Sequence, residues 1–132
     1  MHIQQLFLIE DDEDDQDIFC MALTKVAPSI FCHTARNGVE ATEYLLSGKP
    51  LPDVIFLDVN MPFMNGMEFM KWRLQHPRLQ HVPVFVYTTT SNSLTEAIMK
   101  QLGAARFITK PNTLEGVIHI LQDIFASSPS NK

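Results

Sequence analysis

The chain has 132 residues, a length that fits one domain and lets about two thirds of the unfolded surface be buried. Its 45% apolar and 19% charged residues give a globular composition and exclude the disordered and collagen-like classes. A formal charge of −5 leaves no surplus of Lys and Arg for a phosphate backbone, so direct DNA binding is not expected.

In chain order, the start Met1-His2-Ile3-Gln4-Gln5 lacks the basic and apolar runs of a signal peptide, and no later stretch has membrane-spanning length. A cytoplasmic location without a membrane partner is therefore expected. Leu6-Phe7-Leu8-Ile9 forms the first predicted strand, residues 6–9, followed by an acidic run and a predicted helix at 14–26. Pro28 ends that segment. A strand at 30–34 and a helix at 38–46 follow, then Gly48, Pro50 and Pro52 as breakers. The strand at 54–57 is continuously apolar and leads to a helix at 66–75, with Pro77 beyond it. A further strand at 82–87 precedes a helix at 93–102 with the stripe Leu94, Ile98 and Leu102. After Gly103 come a short strand at 106–108, Pro111, and a helix at 114–125 with the stripe Leu114, Val117, Ile118 and Leu121. Strand and helix alternate throughout, the pattern of an α/β domain. Continuously apolar strands suit a parallel sheet covered on both faces. Residues 1–126 read as the domain, and 127–132 as a short polar tail. Cys20 and Cys32 lie in apolar runs without CxxC spacing and read as small buried hydrophobes with reduced thiols. The five histidines are scattered without a metal or phosphohistidine motif, and Met61, Met64, Met67 and Met70 read as core and loop packing.

Open α/β sheets bind ligands outside the carboxyl ends of their strands. Four of the five apolar runs end there in a polar candidate: Glu10-Asp11, Asp58, Thr88-Thr89-Thr90, and Lys110. The acids from Asp12 to Asp17 read as a solvated helix start, favoured by the helix dipole. Glu10 and Asp11 differ, because carboxylates a few Å from Asp58 would repel by about 4 kcal/mol at an effective dielectric near 20. A hard divalent cation relieves that repulsion, and an all-oxygen donor set points to Mg²⁺ rather than zinc. Asp58 alone reads more readily as a capping or structural aspartate. Beside a metal-binding pair, a hydroxyl and an ammonium, it reads as a nucleophile toward phosphorus. Lys110 supplies a mobile point charge for a phosphoryl oxygen, and the Thr88 hydroxyl one further hydrogen bond.

These residues carry a resemblance. Glu10-Asp11-Asp12, then Asp58-Val59-Asn60-Met61-Pro62 with Asn65-Gly66, then Thr88-Thr89, then Lys110-Pro111 closely resemble the receiver domains of two-component response regulators, of the stand-alone, CheY-like type. The match runs over roughly residues 6–125 in matching order and spacing. It implies a flavodoxin-like three-layer (βα)5 sandwich with sheet order 2-1-3-4-5. It implies Asp58 as phosphoacceptor; Asp11, with Glu10 through water, and the Asn60 carbonyl as metal ligands with Asp58; and Thr88, Lys110 and the Thr89 N–H as phosphoryl-binding groups. A cis peptide between Lys110 and Pro111 is implied as well. The implied phosphodonor is a histidine kinase or a histidine phosphotransfer protein, and the output is contact with a downstream protein through the fourth helix, fifth strand and fifth helix. Homodimerisation through that face stays open. Phe107 replaces the usual tyrosine of the switch, so only ring movement, coupled to Thr88, is available to it. Asn60 and Thr90 sit where the resemblance places the groups that frame the hydrolytic water; neither is a base at neutral pH, which implies slow decay of the aspartyl phosphate.

Other readings fit less well. A flavodoxin would set its phosphate against the acidic loop, and a haloacid-dehalogenase-like phosphatase needs an aspartate where Asn60 stands. A pseudo-receiver that binds without phosphorylation would have no use for a complete set of site residues.

Overall fold

The five apolar runs become five parallel strands in a computed structural model that describes residues 3–89 and 92–126. They are β1 (Gln5–Ile9), β2 (Phe31–Ala35), β3 (Val54–Leu57), β4 (Val84–Thr88) and β5 (Arg106–Thr109). The helices are α1 (Glu13–Val26), α2 (Gly38–Leu45), α3 (Gly66–Leu74), α4 (Ser93–Gln101) and α5 (Leu114–Ala126), with a 3-10 turn at Pro77–Leu79. The sheet order is β2-β1-β3-β4-β5, the expected flavodoxin-like arrangement. The central strands are the apolar ones, and all four residues of β3 are buried. The edges are wetter: Phe31 and Thr34 of β2, and Arg106 and Thr109 of β5, are exposed.

Alternate residues of each strand feed two separate cores. Phe7, Ile9, Ile55, Leu57, Val84 and Val86 face α2, α3 and the Met99 of α4. Leu6, Leu8, Val54, Phe56, Phe85 and Tyr87 face α1 and α5 through Phe19, Leu23, Val117 and Leu121. Phe19 meets Phe56 at 5.0 Å and Tyr87 at 5.4 Å between ring centroids, both edge to face. Burial of one such ring contributes about 2–3 kcal/mol, so this aromatic cluster anchors α1 to the middle of the sheet. Met61 and Met70 are buried and Met67 packs against the same core, as expected of that series.

Helix starts are fixed by side chains. Asp12, Asn37, Asn65 and Asn92 each accept the backbone N–H of the residue three positions on. Asn65 and Glu68 do so reciprocally, with both bonds at 2.9 Å.

Several expectations need correction. The stripe of α4 does not turn inward as a whole: Leu94 is 71% exposed, and the fully buried residue is Met99. Leu102, at the C-terminal end of the helix, packs against the core, whereas Leu94, in its first turn, is left in solvent. The strand expected from residue 82 begins at Val84, because the Val82 N–H closes the 3-10 turn on the Leu79 carbonyl. The Lys110–Pro111 bond is trans, as are all peptide bonds among the described residues. An X-Pro amide separates its two isomers by only about 0.5–1 kcal/mol, and here the Lys110 N–H reaches the Thr88 carbonyl at 2.8 Å.

Cys20 and Cys32 are half-buried rather than buried, and their sulfurs are 3.6 Å apart. Among the described residues, no helix is long and apolar enough to cross a membrane.

Candidate functional site

Hydrogen bonding of the ladder continues past the strands and lines up the polar residues that end the apolar runs. The Glu10 N–H donates to Ala35 O at 2.9 Å, the Asp58 N–H to Ile9 O at 3.0 Å, and the Lys110 N–H to Thr88 O at 2.8 Å. Glu10, Asp58, Thr88 and Lys110 therefore stand side by side at the carboxyl edge. The chain crosses one way from β1 to β2 and the opposite way from β2 past β1 to β3, so the carboxyl edge between β1 and β3 is the topological switch point of the sheet.

Carboxylate oxygens of Glu10, Asp11 and Asp58 lie within 4.8 Å of one another. Glu10 and Asp58 are buried, whereas Asp11 faces solvent. Burial is the largest influence on Glu10 and lifts its carboxyl to about 7; the Lys110 ammonium pulls it down and the Asp58 charge pushes it up again. A hard cation bound by oxygen would relieve that strain between like charges, and the donor set, all carboxylate, fits Mg²⁺.

Lys110 supplies the opposite charge. Its side chain is 6% exposed, and its ammonium pairs with Glu10, with Asp15 Oδ2 at 3.0 Å and with Asp58 Oδ2 at 3.6 Å. Burial alone would lower its pKa, but the Glu10 hydrogen bond and the charges of Asp58 and Asp15 outweigh this and raise it. Glu10 itself is held from three sides: Asp12 N–H donates to Oε2 at 3.1 Å, Gln16 Nε2 to its carbonyl at 2.6 Å, and Lys110 closes on Oε1.

Asp15 belongs to this cluster although it reads as a solvated residue in the sequence. No signal in the sequence singles it out among the acids of the first helical turn. Asp12 is indeed outside the cluster and serves as the helix cap, and Glu13, Asp14 and Asp17 are exposed.

The remaining candidates surround these residues. Thr88 is fully buried, Thr89 and Asn60 are exposed, and Thr90 lies outside the described residues. Phe107 is half-buried against the α2–α3–α4 core and is paired in register with Val86. The segment after Asp58 is folded back tightly: Gly66 N–H donates to Val59 O at 2.9 Å, and Gly38 N–H to Met64 O at 3.0 Å. Phe63 and Met64 adopt φ of 50° and 82°, the left-handed region that costs most residues about 1–2 kcal/mol. This turn leaves Phe63 76% exposed beside Asp11. Arg36, Asn37 and Glu40 line the same depression, of about 370 Å³.

A family profile described as the response regulator receiver domain matches residues 6–122. The polar-differentiation response regulator DivK of Brucella anthropi is 27% identical over 90% of this chain and 94% of that protein. The phosphorylated cyanobacterial phytochrome response regulator RcpA superposes with a TM-score of 0.85 at 29% identity, covering 93% of this chain and 91% of its own. The Mn²⁺-bound form of response regulator Rcp1 gives 0.84 at 26% identity, with 94% and 93% covered. Sheet order, acidic edge and family profile agree over nearly the same residues, and the chain belongs to the response regulator receiver domains, a family of phosphorelay signalling.

Proposed function

We propose that residues 1–126 act as a phosphorelay receiver in which Asp58 accepts a phosphoryl group from a histidine kinase or a histidine phosphotransfer protein. The observation that carries this reading is the buried ammonium of Lys110, held at once by Glu10, Asp15 and Asp58 at the switch point of the sheet. A carboxylate oxygen of Asp58 attacks phosphorus, the P–N bond of the donor phosphohistidine breaks, and its electron pair returns to the imidazole nitrogen. Positioning and charge compensation supply most of the catalysis of such a transfer. Glu10, Asp11, Asp58 and the Asn60 carbonyl would hold Mg²⁺, whose chemistry is to neutralise negative charge shared by nucleophile and phosphoryl group. Lys110 exchanges its Asp58 contact for a phosphoryl oxygen, and Thr88 and the Thr89 N–H donate to the other oxygens.

Those new contacts are the differential interaction that selects a second packing of the α4-β5-α5 face. Phe107 lies at the end of that path, already half-buried, and its ring moves further inward as Thr88 shifts toward the phosphate. The resulting face binds a downstream protein or a second copy of the chain. Hydrolysis is slow, because neither Asn60 nor Thr90 can serve as a base; a measured half-life of a second or less would overturn that part.

Incubation with acetyl phosphate and Mg²⁺, followed by intact-mass analysis, tests the reading. The expected result is a gain of one phosphoryl group that is absent in Asp58→Ala. A wild-type chain that gains no mass would be a binding module instead.

A further inference from the structure

Away from the phosphoryl site, two thiols from different elements meet. Cys20 lies on the second half of α1, and Cys32 lies on the edge strand β2 opposite Leu6. Cys32 packs into the core beneath α1 and α5, while Phe31 and His33 point to the opposite face of the sheet, where His33 contacts Tyr44. The side chain of Cys32 is thus directed at α1, and the sulfurs stand 3.6 Å apart. Both residues are half-buried, so small oxidants and reductants reach them.

We propose that Cys20 and Cys32 are a redox-active pair that closes into a reversible disulfide between α1 and β2. Bond formation requires the sulfurs to approach from contact distance to about 2.05 Å. The edge position of β2 makes that movement feasible, because the strand is paired only with β1. The two thiols also share a hydrogen bond, which outweighs burial and the nearby Asp17 charge and brings Cys20 down to about 7; the same partnership and burial push Cys32 up. Cys32 is the thiol packed against the core, which leaves Cys20, on the helix, as the nucleophile and Cys32 as the resolving thiol. The Cys20 thiolate attacks hydrogen peroxide, the O–O bond breaks, and Cys20 becomes a sulfenic acid with release of hydroxide. The Cys32 sulfur then attacks the sulfenic sulfur and expels a second hydroxide as the S–S bond forms. Overall, two thiols and one peroxide give one disulfide and two waters; both sulfurs are oxidised and the peroxide oxygens reduced. A small dithiol reverses the bond by exchange.

The test is stoichiometric hydrogen peroxide added to the folded full chain at neutral pH, read by intact mass and by peptide mapping without reduction. The expected result is a loss of two hydrogen atoms, a cross-linked Cys20–Cys32 peptide, and recovery of both thiols with dithiothreitol. Cys32→Ser should stop at a sulfenic acid on Cys20, trapped by dimedone. Asp58→Ala should form the same disulfide, which separates this result from the phosphorylation reading. Two thiols still titratable after peroxide, a bond formed only between chains, or accumulation of sulfinic acid on wild-type Cys20 would each overturn the proposal.

Discussion

Lys110 is the cation against which the buried acids are balanced, and its neighbours differ sharply in how much they depend on it. Glu10 and Asp58 are nearly inaccessible, whereas the Asp15 side chain is 39% exposed. Removing one partner of a buried pair typically costs about 3–5 kcal/mol, while a pair open to solvent contributes under about 1 kcal/mol. Lys110→Ala is therefore expected to lower stability by about 2–4 kcal/mol in chelator, with the lower end reached because Glu10 takes up a proton once its counter-ion is gone. Asp15→Asn is expected to cost less than about 1 kcal/mol. Urea midpoints of the two variants, measured side by side, check the order; equal losses would make Asp15 a buried partner in all but exposure. The same residues mark the limit of what sequence alone conveys. Glu10, Asp58, Thr88 and Lys110 are legible because each interrupts an apolar run at a strand end. Asp15 is not, because acids in a first helical turn are favoured by the helix dipole whatever they touch, and its partner is 95 residues away.

At the level of elements, the start of α3 does two separable jobs: it caps a helix and it supports Asp58 from behind. A Cβ added to Gly66 would lie 2.5 Å from the Asp58 carbonyl oxygen and 2.8 Å from Val59 Cα. Both contacts are backbone, so the chain carrying the phosphoacceptor must move. Gly66→Ala is expected to cost about 1–3 kcal/mol and to slow acetyl phosphate labelling of Asp58. Asn65→Ala removes only the cap, at about 1 kcal/mol, and should leave labelling unchanged under conditions where both variants are folded. Labelling rates that fall equally would mean that helix stability, rather than displacement of the Asp58 backbone, governs the site. Gly66 at a helix start was visible as the end of the Asn65-Gly66 motif, but its contact with Asp58 was not, since that depends on the tight return after Met61. The α4 stripe illustrates a different loss of information. Leu94, Ile98 and Leu102 have helical spacing, yet periodicity reports which residues share a face and not how much sheet lies beneath it. Leu102 meets the core at one end of the helix, and Leu94 at the other is left in solvent.

For the molecule as a whole, alternation of strand and helix already implied a parallel sheet, and right-handed crossovers limit the ways it can be wound. The residues do not dictate whether β1 lies at an edge or in the middle; the strand order followed from the family resemblance, and the observed order agrees with it. That order has an energetic consequence, because it brings Glu10 and Asp11 from β1 against Asp58 from β3 with Lys110 as the nearby ammonium. Folding must assemble these charges, whereas the unfolded chain keeps them apart in water. A divalent cation that binds only the folded cluster should therefore stabilise the whole domain by RT ln(1 + [Mg²⁺]/Kd), about 2.7 kcal/mol when free Mg²⁺ is one hundredfold above Kd. Thermal unfolding across a Mg²⁺ titration, with ionic strength held constant by a monovalent salt, should show a midpoint that climbs with the logarithm of concentration. Asp11 is the appropriate control, since it is the exposed member of the three and its replacement leaves no buried gap. Asp11→Asn should retain the fold and flatten the titration. An equal rise in that variant would assign the effect to general screening of a chain of net charge −5 instead of to a cation seated among Glu10, Asp11 and Asp58.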